Sequence, residues 1–304
     1  MERSYQVELQ RRHAYIKEVI EALGHAGVAL FNERAITMEL KPDGTKVTTA
    51  DQALNDMFVD EIVHMFPNDL VWGEEGCNRS VGEPGYHGDL DEADGRWTWL
   101  IDPIDGTSGF WRAYKDDYRE ECTSAIMITA FAPGDTTPTL SAVHNPFQKL
   151  PFTTVASSQF GTEYYTPRAE HPLFVRSKRN APTQIEDVQR FEENQWKGAI
   201  PDLRVMRNMM PHARKVRNSS VGAAMTRLAL GDIDIVAFPA PSNPYDVAPG
   251  ALIAHAAGAH VCDLDGTPYE QIDWRKGPIN GCLGTPNKVL ADDFLTKLKR
   301  THTD

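Results

Sequence analysis

Trp99-Leu100-Ile101-Asp102-Pro103-Ile104-Asp105-Gly106-Thr107-Ser108-Gly109-Phe110 runs from a short apolar segment of strand length into two carboxylates, then Gly and Thr. Asp and Pro are poor strand residues, so the strand is expected to stop where the acids begin. Pro103 fixes its own φ and biases Asp102 towards extended backbone. Gly106 permits a sharp turn that a side chain would obstruct. Two acids at the mouth of a buried strand, on a stiff turn, suit hard divalent cations, which prefer oxygen ligands. The same residues also make an ordinary Asp-rich surface turn. Partners elsewhere in the chain decide between the two.

With 304 residues, the chain has room for one large domain or two closely packed ones. Its 41% hydrophobic and 24% charged content is ordinary for a globular protein with a large core. A formal net charge of −12 argues against a dominant basic face and hence against a nucleic acid polymer as partner. A polyanionic substrate would then need local cations, either metals or a few placed Arg and Lys. Four cysteines, Cys77, Cys122, Cys262 and Cys282, lack metal-site or framework spacing and read as reduced thiols. The N-terminus has no apolar leader and no run reaches transmembrane length, so the expected setting is cytoplasmic, with no membrane.

Helical spacing of Val7, Tyr15, Val19, Ile20 and Leu23 predicts a first helix over Tyr5 to Phe31. Lys41 to Lys46 is a turn by composition. A second helix follows Val47 to Asp51, with Thr48 or Thr49 as its cap and Pro67 at its end. Leu70 to Gly73 is a strand ending in Glu74-Glu75, and Asn78 to Arg96 is a polar loop. Trp111 to Glu121 is so charged that a solvated loop is expected. Ala125 to Phe131, Thr139 to Val143 and Phe152 to Ala156 read as strands, and Gln184 to Asn194 as a helix. Ser219 to Leu230 is a helix stopped by Gly231, Ile233 to Phe238 a strand, Asn243 to Asp246 a turn. Val247 to Ala257 is a helix of small residues, and His260 to Cys262 a last strand. The expected fold class is α/β, with stacked helical and sheet layers.

Glu74-Glu75, Asp102 with Asp105, and Asp246 share one local grammar. The first two groups follow apolar strands, which deliver carboxylates to a sheet edge. Asp246 precedes a helix, where it serves as a plain N-cap, although a helix N-terminus also suits a bound phosphate. Acids brought together from distant segments repel unless cations intervene. Their oxygen-only character points to Mg²⁺ or Mn²⁺ rather than zinc.

The chain resembles the inositol monophosphatase family of metal-dependent phosphomonoesterases. The Trp-x-x-Asp-Pro-x-Asp-Gly-Thr-x-x-Phe block matches Trp99 to Phe110, and Gly-Glu-Glu matches Gly73 to Glu75. Val-Thr-x-x-Asp matches Val47 to Asp51, and (Trp/Tyr)-Asp-x-Ala-x-Gly matches Tyr245 to Gly250. The likeness runs from about Val47 to Gly266 and implies an αβαβα sandwich. It implies one unit over 1–304, with halves of about 1–160 and 161–304, and a homodimer. Two or three Mg²⁺ ions (Mn²⁺ possible) would be held by Glu74, Asp102, the Ile104 carbonyl, Asp105 and Asp246. Glu74, Asp102 and Thr107 would be catalytic, with the Thr107 hydroxyl orienting the attacking water. Gly106, Thr107 and Asp246 would contact a small phosphorylated metabolite, such as a polyol, sugar or amino-alcohol phosphate. No Gly-x-Ser-x-Gly elbow or Cys-centred phosphatase loop offers another nucleophile. Among the ten histidines only His144, on an expected strand, is worth inspection.

Three departures leave the substrate open. Thr45 stands where inositol-type members carry an acid, with Asp43 nearby as a substitute. Pro239 stands about seven residues before Asp246, where those members carry a Glu that contacts sugar hydroxyls. The segment from Phe110 to Ser124 is long and carries Arg112, Lys115 and Arg119, a solvated loop or a cationic patch for a second phosphate. A 3′(2′),5′-bisphosphate nucleotidase or a histidinol-phosphatase are the alternatives, although no Asp-Cys-Tyr pattern of the latter lies near Ser219 to Ala224. A phosphometabolite-binding protein without activity is the alternative outside the enzymes.

Overall fold

The computed structural model describes residues 2–42, 44–76, 95–118, 122–177, 181–193, 201–216 and 218–301. Asp43, Cys77, most of the Asn78 to Arg96 loop, and Arg119 to Glu121 lie outside the described residues. The chain opens with helices α1 (Glu2–Glu33) and α2 (Thr49–Met65), separated by a hairpin of β1 (Met38–Leu40) and β2 (Lys46–Thr48). The first large sheet contains β3 (Leu70–Gly73), β4 (Thr98–Asp105), β5 (Ala125–Phe131) and β6 (Leu140–Asn145). It is completed by β7 (Phe152–Ser157), β8 (Gly161–Tyr165) and β9 (Leu173–Val175), in chain order across the sheet. Only β3 and β4 run parallel in it. Helix α3 (Thr107–Lys115) lies between β4 and β5 in sequence.

A second sheet has the spatial order β11-β10-β12-β14-β13. Its strands are β10 (Arg190–Glu193), β11 (Arg214–Lys215), β12 (Ile235–Phe238), β13 (His260–Cys262) and β14 (Cys282–Thr285). The accompanying helices are α4 (Met206–Met209), α5 (Val221–Ala229), α6 (Pro244–Ala256) and α7 (Lys288–Thr301). The first sheet runs past the expected division near residue 160, because β8 and β9 complete it up to Val175.

Strand alternation produces the layers. On β4, Trp99 and Ile101 belong to one core and Leu100 to another; on β5, Ile126 and Ile128 are set against Met127 in the same way. The first face is covered by α1 and α2 through Leu9, Ile16, Ile20, Leu54, Phe58 and Ile62. The second meets α5 and α6 through Val221, Met225, Val247, Ala251 and Leu252. These two helices also pack on the second sheet at Val236 and Phe238. The far face of that sheet, Ile235, Ala237 and Leu283, meets Met206 of α4 and Leu290, Phe294 and Leu298 of α7. The result is the expected αβαβα sandwich. Helix α6 is apolar on every side, as a helix between two sheets must be. Among the described residues no helix is long and apolar enough to cross a membrane.

Four local expectations are corrected. Strand β4 does not stop at the acids but continues to Asp105, with Asp102 opposite Met127 and Asp105 opposite Ala125. Three steps on β4 therefore face two on β5, a bulge that accommodates Pro103 and its missing N–H. Gln184 to Asn194 is not a helix but a 3₁₀ turn (Ile185–Asp187) leading into β10. The Asp234 carboxylate captures the N–H groups of Gln189 and Arg190 at 2.9 and 3.1 Å, and parallel pairing with β11 and β12 does the rest. The charged segment from Trp111 is helical to Lys115, because Phe110, Ala113 and Tyr114 give α3 a buried stripe. Helix α6 begins at Pro244 rather than Val247, with Asn243 as N-cap and Pro at its first position.

The start of β4 is tied to α1 by a buried ion pair. Arg12 donates three hydrogen bonds to Asp69, from Nε to Oδ2 at 3.1 Å and from Nη2 to Oδ1 at 2.8 Å and Oδ2 at 2.9 Å, while Trp99 Nε1 donates to Asp69 Oδ2 at 2.8 Å. Arg12 also lies over the rings of Phe66 and Trp97. Removing one partner strands the other charge in the core. Asp69→Ala is therefore expected to lose roughly 3–5 kcal/mol of stability in urea denaturation, and a loss below about 1 kcal/mol, the scale of an exposed pair, would contradict this account.

Candidate active site

Parallel pairing of β3 with β4 places the Glu74 N–H on the Ile101 carbonyl at 3.0 Å, so Glu74 leaves its strand beside Asp102. Asp102 is 1% exposed; its Oδ1 accepts the Ile104 N–H at 3.0 Å, and its carboxyl shares a hydrogen bond with Glu74. Asp105 Oδ2 accepts from Ser220 Oγ at 2.6 Å and from the Gly222 N–H at 3.2 Å, at the start of α5. Asp246 lies in the first turn of α6, where its Oδ2 accepts the Asn243 N–H at 3.3 Å. It is thus the third helical residue closing a capping box, and Asn243 is the cap.

Electrostatics shows that these acids face one another. Asp102 is raised well above the ordinary carboxylate range, first by burial, then by Glu74, Asp105 and Asp246. Burial also pushes Asp105 up to about 7, opposed by the Ser220 and Gly222 hydrogen bonds. Asp246 is raised by burial, then by Glu74 and Asp105. Strands β3 and β4 and helix α6 therefore bring these four carboxylates within electrostatic range of one another. One cation answers them: Lys41 Nζ, in the hairpin between β1 and β2, lies 3.0 Å from Glu74 Oε1 and 2.7 Å from Glu75 Oε1.

Asp51 is fully buried beside this group, a residue that the Val-Thr-x-x-Asp motif had marked without assigning it a role. Its Oδ1 is 3.0 Å from Thr107 Oγ1, which is also 3.2 Å from the Ile104 carbonyl. Its Oδ2 accepts the Thr48 N–H at 2.8 Å, and the Thr48 hydroxyl bonds it too, so Thr48 rather than Thr49 caps α2. Burial raises Asp51 to about 7, against the Thr48 hydrogen bonds. Gly106 caps α3 at φ 87°, and a Cβ there would stand 2.4 Å from the Ser219 carbonyl, so only glycine fits. The N-terminus of α3 thus opens next to Asp51 and Asp105.

Other sequence candidates lie elsewhere. His144 is buried with Nδ1 3.0 Å from both the Phe152 carbonyl and Thr153 Oγ1, and burial pushes its pKa down to about 4. It is a satisfied core histidine. Arg112 and Lys115 fall in the last turn of α3, at the opposite end from Gly106. Signals for Lys41 were weak, since a lysine in a polar turn is indistinguishable from a solvated one.

The donor set suits Mg²⁺ or a similar hard ion: carboxylates and a backbone carbonyl, with no histidine or thiol. Among the described residues no three His, Cys, Asp or Glu side chains are gathered closely enough to hold an ion as they stand. The acids lie at electrostatic and hydrogen-bond range of one another, with Lys41 paired to Glu74.

Comparison with known proteins bears on the family and the fold. A family model described as the inositol monophosphatase family matches residues 11–302. A 3′(2′),5′-bisphosphate nucleotidase, CysQ, from Aggregatibacter actinomycetemcomitans is 28% identical over 276 residues, covering 86% of this chain and 87% of its own. The Nus factor SuhB of Xylella fastidiosa is 26% identical over 242 residues, covering 79% and 77%. Among solved structures, an IMPase from Thermotoga maritima superposes with a TM-score of 0.68 at 22% identity, covering 95% of this chain and 96% of its own. An IMPase/NADP phosphatase in complex with Mg²⁺ and phosphate gives 0.70 at 19% identity, covering 96% and 95%.

Acids with raised pKa bind protons more tightly in the folded than in the unfolded chain. In metal-free protein they stabilise the fold at low pH, and that contribution fades as pH rises from about 4 towards about 7. The melting temperature in EDTA is expected to fall by several degrees between pH ~5 and pH ~8, and Mg²⁺ to flatten the slope. A melting temperature in EDTA that rises with pH over this range would contradict the clustering.

Proposed function

The chain belongs to the inositol monophosphatase family and is a metal-dependent phosphomonoesterase; on that premise we propose that it hydrolyses a small phosphorylated polyol, sugar or amino alcohol with metal-activated water. The convergence of Glu74, Asp102, Asp105 and Asp246 from β3, β4 and α6 carries this reading. Together with the Ile104 carbonyl they would hold two or three Mg²⁺ ions, or Mn²⁺, with Glu74 exchanging Lys41 for an ion. When bound, such ions neutralise phosphate charge and lower the pKa of water.

The chain's own residues supply the rest. Gly106 and Thr107, at the open N-terminus of α3, offer backbone donors to the phosphate. The Thr107 hydroxyl orients the attacking water, and Asp51, 3.0 Å from it, receives the proton that the hydroxyl passes on. Asp246 lies where α6 meets the substrate side of the acids. No side-chain nucleophile is needed.

A second reading, a 3′(2′),5′-bisphosphate nucleotidase, is supported by the CysQ relative and by Pro239, which replaces the sugar-contacting acid. Its carbonyl accepts from Ser242 Oγ at 2.7 Å, and no carboxylate occupies Pro239 to Asn243. A histidinol-phosphatase has no comparable support. A non-catalytic binding protein would have lost metal acids, and all four are present. We also infer a cytoplasmic homodimer: Cys262 and Cys282 are free thiols, and edge strand β9 exposes Leu173 and Phe174 to a second copy.

Asp102→Asn is expected to lower Mg²⁺-stimulated phosphate release by at least ~100-fold, beyond the range for outer-shell residues. Release at the wild-type rate would remove Asp102 from the site. A panel of inositol, sugar, amino-alcohol and nucleoside 3′,5′-bisphosphate substrates separates the two enzyme readings. No phosphate from any of them, with Mg²⁺ or Mn²⁺, would favour the binding protein.

A further inference from the structure

The loop that fixes Asp105 is itself fixed from the second sheet. Glu192, on β10, is only 5% exposed. Its Oε1 accepts the Asn218 backbone N–H at 2.9 Å, and its Oε2 accepts Asn218 Nδ2 at 3.0 Å. Two residues further on, Ser220 Oγ donates to Asp105 Oδ2, and the Gly222 N–H reaches the same oxygen. Between these anchors the Ser219 N–H donates to Thr123 Oγ1 at 2.6 Å. The Ser219 carbonyl and hydroxyl press on Gly106 and Gly109, at 2.4 and 1.9 Å from where Cβ atoms would stand. Residues 218–222 are therefore gripped on one side by Glu192 and on the other by the turn that carries Asp105, Gly106 and Thr107.

A buried carboxylate is an expensive way to anchor a loop, since an apolar contact would avoid the desolvation. What it adds is direction. Both oxygens of Glu192 are spent on one residue, fixing Asn218 by main chain and side chain at once. The amide of Asn218 is turned so that Nδ2 faces Glu192, and its Oδ1, buried, has no hydrogen-bond partner. That unsatisfied oxygen is the consequence of a carboxylate at position 192 and shows that the clamp outweighs the local cost.

We propose that Glu192 is a positioning residue for the metal site: by clamping Asn218 it sets the Ser220 hydroxyl and the Gly222 amide that orient the Asp105 carboxylate. The inference rests on the reading of Asp105 as a metal ligand. Ligating carboxylates are held by outer hydrogen bonds, and losing such support commonly weakens metal affinity 10–100-fold. Glu192 bonds Asn218 and not Asp105 itself, so it reaches the proposed metal ligand through residues 218–222.

The test titrates Mn²⁺ into the full-length protein by electron paramagnetic resonance, and measures p-nitrophenyl phosphate hydrolysis for KM and for half-saturating Mg²⁺. Glu192→Ala is expected to weaken Mn²⁺ binding and raise half-saturating Mg²⁺ by ~10-fold, with KM for p-nitrophenyl phosphate unchanged. Glu192→Gln is expected to recover most of the loss, because a flip of Asn218 offers its unpartnered Oδ1 to the new amide. A cooperatively folding Glu192→Ala protein with wild-type Mn²⁺ affinity, or one altered in KM alone, overturns the proposal. If Glu192→Ala does not fold, Asn218→Ala takes its place. It removes half of the clamp and should weaken Mn²⁺ binding by ~3-fold, and unchanged affinity overturns the proposal. Asp105→Asn tests the layer beneath: unchanged Mn²⁺ affinity there refutes Asp105 as a ligand, whatever Glu192 does.

Discussion

Repulsion among buried carboxylates is the constraint on which the structure around the site depends. Unit charges ~4 Å apart near a protein surface cost about 4 kcal/mol, and the acids that β3 and β4 carry, Glu74, Asp102 and Asp105, are joined here by Asp246 from the first turn of α6. Desolvation adds to this, and it is the largest influence on Asp102, Asp105 and Asp246 alike. A chain that keeps such a cluster must hold each acid by its backbone, since the side chains would otherwise separate. Parallel pairing with β4 directs Glu74, a bulge directs Asp102 and Asp105, and a capping box directs Asp246. Lys41 relieves part of the charge from the opposite side.

These anchors come from separate layers. The bulge belongs to the first sheet, and the first turns of α5 and α6 belong to the helical layer between the sheets. Glu192 belongs to the second sheet. The site therefore lies where layers meet, and Asp105 is held from both the first sheet and the helical layer. Helix α3 begins in the same place, so its N-terminal N–H groups and the Asp105 carboxylate share one turn. Asp51 and Thr107 connect that turn to α2.

The αβαβα order followed from the family resemblance, and the four acids were singled out before any coordinates because two groups follow apolar strands and Asp246 opens a helix. The apolar runs of β4 and β5 also showed directly in their residues. Less was visible where tertiary pairing decides. Asp102-Pro103-Ile104-Asp105 breaks strand propensity, yet the bulge against Met127 and Ala125 keeps it in the sheet. Gln184 to Asn194 has no strong pattern, and side-chain capture by Asp234 turned it into a strand. Trp111 to Lys115 looked solvated because it opens the run from Trp111 to Glu121, in which seven residues are charged. Asp51 was quoted within a motif, but its partner Thr107 is 56 residues away, and no local signal couples the two. Asp43, the substitute considered for the acid missing at Thr45, lies outside the described residues.

That the acids of β3, β4 and α6 form a cage for divalent ions beside a phosphate is tested most directly by anomalous diffraction from crystals grown with Mn²⁺ and phosphate. The account predicts at least two manganese peaks among Glu74, Asp102, the Ile104 carbonyl, Asp105 and Asp246, with phosphate at the N-terminus of α3 and Lys41 released from Glu74. Manganese bound elsewhere, with Lys41 still paired to Glu74 and Glu75, would contradict it.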